Sequence, residues 1–156
     1  MKTRQAGFSL IELLIVVAII LIIAAIAIPN LMRSRMAANE SSAVGSIRTI
    51  NTAEVTYNTT YPMTGFTLLA ALGGTSCSGT SANSAAACLI DNTLSGGTKS
   101  GYSFVVGGLS GSPNVIYTSN AKPVVAGQTG TRQFCSDQSG VIFYGVGSCS
   151  SGTNPL

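Results

Sequence analysis

Phe8-Ser9-Leu10-Ile11-Glu12-Leu13-Leu14-Ile15-Val16-Val17-Ala18-Ile19-Ile20-Leu21-Ile22-Ile23-Ala24-Ala25-Ile26-Ala27-Ile28 holds 19 apolar residues in 21, and only Ser9 and Glu12 are polar. As a helix the run spans roughly 32 Å at ~1.5 Å per residue, the thickness of a bilayer's hydrocarbon core. A basic heptapeptide, Met1-Lys2-Thr3-Arg4-Gln5-Ala6-Gly7, precedes it, and Pro29 closes it. A cleaved secretory signal would explain the basic start, and Ala25-Ile26-Ala27 mimics its cleavage site. However, the run exceeds an ordinary signal core of about 7–15 residues and carries an acid inside it. A plain membrane anchor fits the length but leaves Glu12 unexplained. A lone charge within a membrane helix costs roughly 2.5–3.5 kcal/mol or more.

Gly7-Phe8-Ser9-Leu10-Ile11-Glu12-Leu13 resembles the processing motif of type IV prepilins and type II secretion pseudopilins. The shared features are a short basic leader, a glycine, an aromatic, a small hydroxyl residue, two aliphatics and a glutamate opening an apolar helix. The resemblance covers the leader and about 50 residues beyond it. It implies that a prepilin peptidase cuts after Gly7 and methylates the new amine of Phe8. It also implies that Glu12 pairs with the Phe8 amine of a neighbouring subunit, and that Pro29 lies where the helix loosens in filaments. At an effective dielectric near 20, opposite charges about 4 Å apart gain roughly 4 kcal/mol, comparable to the cost of burying the acid. Leader removal takes away Lys2 and Arg4, so the formal charge falls from +3 to +1. Arg33 and Arg35 follow the span as headgroup anchors. They balance Lys2 and Arg4, so basic residues alone do not orient the chain.

From Leu31 to about Tyr61 the helix is expected to continue. Met32, Met36, Ala43, Ile47, Ile50 and Tyr57 form one stripe, on which a globular domain packs. Asn39, Glu40, Ser41, Ser42, Ser46, Arg48, Asn51 and Glu54 lie between them. Pro62 ends the helix. The expected organisation is a leader at 1–7, a transmembrane and polymerisation helix at 8–28, an amphipathic half at 29–61 and a globular part at 62–156.

That last part carries five charged residues: Asp91, Lys99, Lys122, Arg132 and Asp137. A short helix is expected over Phe66–Leu72, and a low-complexity loop over Ser76–Ala87. Strands are expected at Tyr102–Val106, Val115–Thr118, Val124–Ala126, Gln133–Cys135 and Val141–Tyr144. Asp137-Gln138-Ser139-Gly140 reads as a hairpin turn. The fold class is therefore α+β. By the resemblance it is pilin-like: a long N-terminal helix, its first half transmembrane, packed on a small antiparallel sheet.

Cys77, Cys88, Cys135 and Cys149 lack any C-x-x-C spacing, which favours disulfides over zinc or thiol-redox chemistry. Three pairings are possible. The local one, Cys77–Cys88 with Cys135–Cys149, closes the shorter loops and is the one we favour. Its second bridge resembles the disulfide-bounded C-terminal loop of many pilins. Bridges place this part outside the cytoplasm.

Composition excludes other classes. Charged residues are 8% of the chain and histidine is absent. No Ser-His-Asp or Cys-His pair can form, so an enzyme is not expected. Basic residues are too sparse for a nucleic-acid surface. Five scattered acids do not make a carboxylate metal cage, and the lone Asp137 reads as turn chemistry rather than a calcium ligand. No cofactor or metal is expected. The resemblance implies a structural subunit of a type IV pilus, with a pseudopilin of type II secretion as the alternative. Its partners would be copies of itself, the prepilin peptidase/methyltransferase, an inner-membrane assembly platform with its ATPase, and membrane lipid before assembly. Its place would be the bacterial inner membrane, single-pass with a periplasmic C-terminal domain, then a surface pilus or a periplasmic pseudopilus.

Overall fold

The computed structural model describes residues 9–74, 82–150, 152 and 154–156. The chain divides into two compact units, Met1–Arg35 and Met36–Leu156. One helix, α1 (Leu10–Thr60), contributes to both.

In the first unit α1 is long and apolar enough to cross a membrane, and its most apolar window has no buried residue. Such an all-round apolar helix has no water-facing side, so its natural solvent is lipid or other apolar helices. Pro29 lies inside α1. It offers no N–H to the carbonyl four residues earlier, which weakens the ladder there without ending the helix.

Among the described residues, the second unit contains the rest of α1, two one-turn helices and a five-stranded sheet. The helices are α2 (Leu69–Leu72) and α3 (Asn92–Ser95). The strands are β1 (Thr98–Lys99), β2 (Tyr102–Gly111), β3 (Asn114–Pro123), β4 (Arg132–Asp137) and β5 (Ile142–Val146). They form an antiparallel meander in the order β1-β2-β3-β4-β5. The side-chain period of two sorts its faces. Phe104, Ala121 and Phe134 share one row of the register and are buried. In the next row Val105 and Asn120 are exposed, whereas Cys135 is buried. The buried face meets Ala43, Ile47, Ile50, Ala53 and Tyr57 of α1 in a single core with Leu72, Leu94, Tyr102 and Tyr117.

Three local expectations change. Val124–Ala126 is not a strand. Pro123 ends β3, and the chain then folds into a turn closed by Thr129, whose N–H and hydroxyl both donate to the Val125 carbonyl. The helix expected over Phe66–Leu72 is shortened to α2. The Phe66 carbonyl is taken by Asn114 Nδ2, and the Phe66 N–H donates to the Asn114 carbonyl. Gly65 permits that crossing: its φ is +77°, and a Cβ there would fall 2.1 Å from the Asn114 oxygen. Finally α3 was not foreseen. It is capped by Asp91, whose carboxylate accepts the Leu94 N–H at 2.9 Å and pairs with Lys99.

The β5 edge is covered by the residues that end the sequence. The Tyr144 N–H donates to the Asn154 carbonyl, and the Leu156 N–H to the Ile142 carbonyl, each at 2.9 Å. A covered edge cannot template pairing with another chain.

Candidate functional site

Two regions bear on function: the exposed apolar segment of α1, and the polar seam between α1 and the sheet in the second unit.

In the apolar segment, large side chains from Leu10 to Ile28 are exposed, for example Leu10 at 75% and Ile26 at 68%. Glu12 stands in the first turn. One of its carboxylate oxygens accepts the Ser9 N–H at 3.0 Å. This is the return half of a capping box, in which the third helical residue satisfies the amide that precedes the helix. A carboxylate has room for about four donors, and this bond uses one, so Glu12 keeps the capacity to meet a cation. Gly7 and Phe8, the expected cleavage and methylation residues, lie outside the described residues.

In the seam, Glu40 is 6% exposed yet charged. It accepts the Thr131 N–H at 2.9 Å, the Thr131 hydroxyl at 3.0 Å and the Arg132 N–H at 3.1 Å. The Arg132 guanidinium completes the shell from Nε and from a terminal nitrogen, each at 2.8 Å. Burial alone pushes this carboxyl up. The Thr131 and Arg132 donors outweigh it and hold the pKa below the usual range. Arg132 also lies over the rings of Phe134 and Tyr144, at 5.5 and 5.6 Å. One residue earlier, Asn39 donates to the Thr129 carbonyl. Together these fasten α1 to the start of β4.

Three turns on, Asn51 donates to Ser136 Oγ at 2.8 Å and accepts the Tyr117 hydroxyl at 3.1 Å. The Ser136 hydroxyl in turn donates to the Val141 carbonyl. The helix is thereby tied to β3, β4 and the following turn. In that turn Asp137 accepts the Ser139 N–H, and Gly140 takes φ of +74°. Glu54, fully buried, accepts the Thr67 N–H at 3.0 Å. The Tyr57 hydroxyl donates to the Ser84 carbonyl at 2.6 Å.

The sequence stripe passed over these glutamates. Glu40 and Glu54 stand four residues after Met36 and Ile50, in the two seven-residue gaps of the stripe. The series 40, 43, 47, 50, 54, 57 has helical spacing throughout, and spacing is the signal that would have found them. Met32 of the expected stripe is exposed.

Cys135 and Cys149 are bridged across 14 residues, with Cα atoms 5.9 Å apart. Cys88 is disulfide-bonded, and Cys77, its expected partner, lies outside the described residues. Among the described residues no three His, Cys, Asp or Glu side chains gather as a metal would need.

Residues 2–28 match the family model for the prokaryotic N-terminal methylation motif. The chain is 46% identical over 54 residues to the type IV major pilin protein PilA of Myxococcus xanthus, covering 35% of this chain and 24% of that protein. It is 38% identical over 66 residues to the type II secretion system core protein G of Aeromonas hydrophila, covering 40% and 46%. It is 63% identical over 35 residues to the type IV wide pilus major component PilA4 of Thermus thermophilus, covering 22% and 27%. The matches thus span about a quarter to a half of these relatives. No solved structure matches the chain. The methylation motif coincides with the apolar start of α1, and the long apolar helix with the antiparallel sheet agrees with an α+β pilin fold.

Proposed function

We propose that this protein is a structural subunit of a type IV pilus. The carrying observation is an apolar helical segment, exposed on all sides, that coincides with the methylation motif. Before assembly the segment sits in the inner membrane with the second unit in the periplasm. A prepilin peptidase removes residues 1–7 and methylates Phe8. An assembly platform and its ATPase then exchange lipid for neighbouring copies around the same helix.

Glu12 sets the register in this reading. Its charge is costly in an apolar packing, and its self-cap leaves acceptor capacity that a neighbour's Phe8 amine fills. Such pairing penalises an undocked subunit and relieves a docked one. Pro29 gives the packed helix a place to adjust. The subunit is not an enzyme in this reading and uses no cofactor.

The likeness to core protein G supports a second reading, a pseudopilin of a periplasmic pseudopilus. Shearing filaments from intact cells and identifying the N-terminal peptide by mass spectrometry separates the two. A peptide starting at methylated Phe8 in the sheared fraction is the expected result. The same peptide confined to the cell envelope would favour the pseudopilin. A chain still starting at Met1 would overturn both.

A further inference from the structure

Glu54 stands apart from the other acids of the second unit. Glu40 is surrounded by five donor contacts, Asp91 is exposed and Asp137 is half-buried. Glu54 is completely buried, and one oxygen, Oε1, has no hydrogen-bond partner among the described residues. Its other oxygen holds the Thr67 N–H, in the stretch leading from the end of α1 into α2. That stretch brings Phe66, Leu69 and Leu72 into the core. No ion pair reaches Glu54 among the described residues.

We propose that Glu54 is a proton-operated latch, which keeps the segment 66–72 docked on α1 while its carboxyl is neutral and loosens it on ionisation. A neutral carboxyl leaves one buried dipole unpaired. A carboxylate leaves a buried charge with a single donor, a far larger penalty, which admission of water would relieve. Water reaches this group when the Thr67 contact opens. Burial raises the Glu54 pKa from the ordinary 4.5 to about 7, against the smaller opposing pull of the Thr67 N–H.

The groups facing Glu54 do not supply a competing titration in that range. From the sheet the neighbour is Tyr117, whose phenol burial and the Glu54 charge both push up, so it stays protonated. It donates to Asn51, not to Glu54. Asp137 acts on Tyr117 rather than on Glu54. Residues 62–74 contain no titratable side chain. On α1 the nearest titratable residues along the chain are Arg48, Tyr57 and Tyr61, and none is an ion-pair or hydrogen-bond partner of Glu54. The latch is independent of whether the filament is a pilus or a pseudopilus.

The test is hydrogen–deuterium exchange of the full-length protein in detergent micelles, corrected for intrinsic rates. Peptides covering 62–74 should lose protection by about tenfold between pH 6 and pH 8.5, levelling off above pH 7. Peptides from β3 should not change. Glu54→Gln should remove the pH dependence. A carbon-13 carboxyl titration of the unsubstituted protein covers the case in which that variant fails to fold, and should show one carboxyl with a midpoint above pH 6. Constant protection across the range, persistence of the pH dependence in Glu54→Gln, or no carboxyl with a midpoint above pH 6 would each overturn the latch.

Discussion

The two halves of α1 solve opposite problems with one helix. From Leu10 to Ile28 its large apolar side chains are exposed, and its one acid accepts the amide of Ser9. From Met36 to Thr60 a stripe is buried against the sheet, and both acids on that stripe are inside. Among the described residues the most apolar stretch of the first half is unburied, and such a surface calls for lipid or other apolar helices. The second half has its partner within the chain, and spends polar residues on fixing its position. Asn39 and Glu40 hold the start of β4, Asn51 holds three strand and turn positions, and Glu54 and Tyr57 hold the segments that follow. Apolar area alone would let the helix slide or rotate over the sheet. Directional bonds to buried groups make a shifted register costly, because each leaves a donor or acceptor unpaired.

Substitutions that act on one half and spare the other are the clearest way to break this contrast. The largest effect is expected from Ile19→Lys. A cation at the centre of an apolar span costs roughly 2.5–3.5 kcal/mol in insertion alone. Filament or pseudopilus yield should fall below detection, while the second unit keeps its melting temperature by circular dichroism. Glu12→Ala should leave leader cleavage largely intact, read by mass spectrometry, and still reduce assembly at least tenfold. Normal yield from that variant would remove Glu12 from assembly.

The reciprocal case is Phe134→Ala, which opens a cavity under Arg132 in the second unit. It should cost roughly 3–5 kcal/mol of unfolding stability by denaturant titration. Insertion of the first unit should be unaffected. The Cys135→Ser, Cys149→Ser double variant should lose about 3 kcal/mol, the scale for closing a loop of this size. A loss confined to β4 and β5 would sharpen the distinction between covalent and polar fastening.

The smallest effect concerns pH, and the two glutamates should differ in sign. Glu40 is held below its ordinary pKa. Its contribution is present above the unfolded carboxyl pKa and lost as pH falls through the folded value. Glu54 is raised to about 7. Its contribution is present below about 4.5 and lost as pH rises from there towards 7. Thermal melts between pH 3 and pH 8 should therefore show an acid limb that Glu40→Gln flattens, at a cost of about 1–3 kcal/mol near neutrality. The alkaline limb should survive that substitution. Loss of both limbs in Glu40→Gln would show that the two acids are coupled.

The long apolar segment, the methylation motif and the course of α1 were all legible in the residues. So were four of the five sheet strands, because alternation survives wherever one face is buried. Val124–Ala126 misled because its composition is strand-like, whereas Pro123 and the Thr129 closure turn the chain away. The seam was harder to see. Glu40 and Glu54 occupy correct helical positions, but a charged residue is ordinarily placed in solvent, and nothing local reveals the Thr131, Arg132 and Thr67 amides that await them 13 to 92 residues away.

Properties that depend on neighbours along the chain could be read from residues 1–156 directly. Apolar length, the basic leader, proline and glycine punctuation and strand alternation are all short-range signals. Which acid is an anchor and which a strained, half-satisfied group is a different kind of property. It depends on the donors that folding brings from distant segments, and on how much water is excluded when they arrive. Five donor contacts converge on Glu40, and one reaches Glu54. Two identical side chains on one stripe thereby acquire opposite pKa shifts, a distinction that desolvation and long-range hydrogen bonding create only in the folded protein.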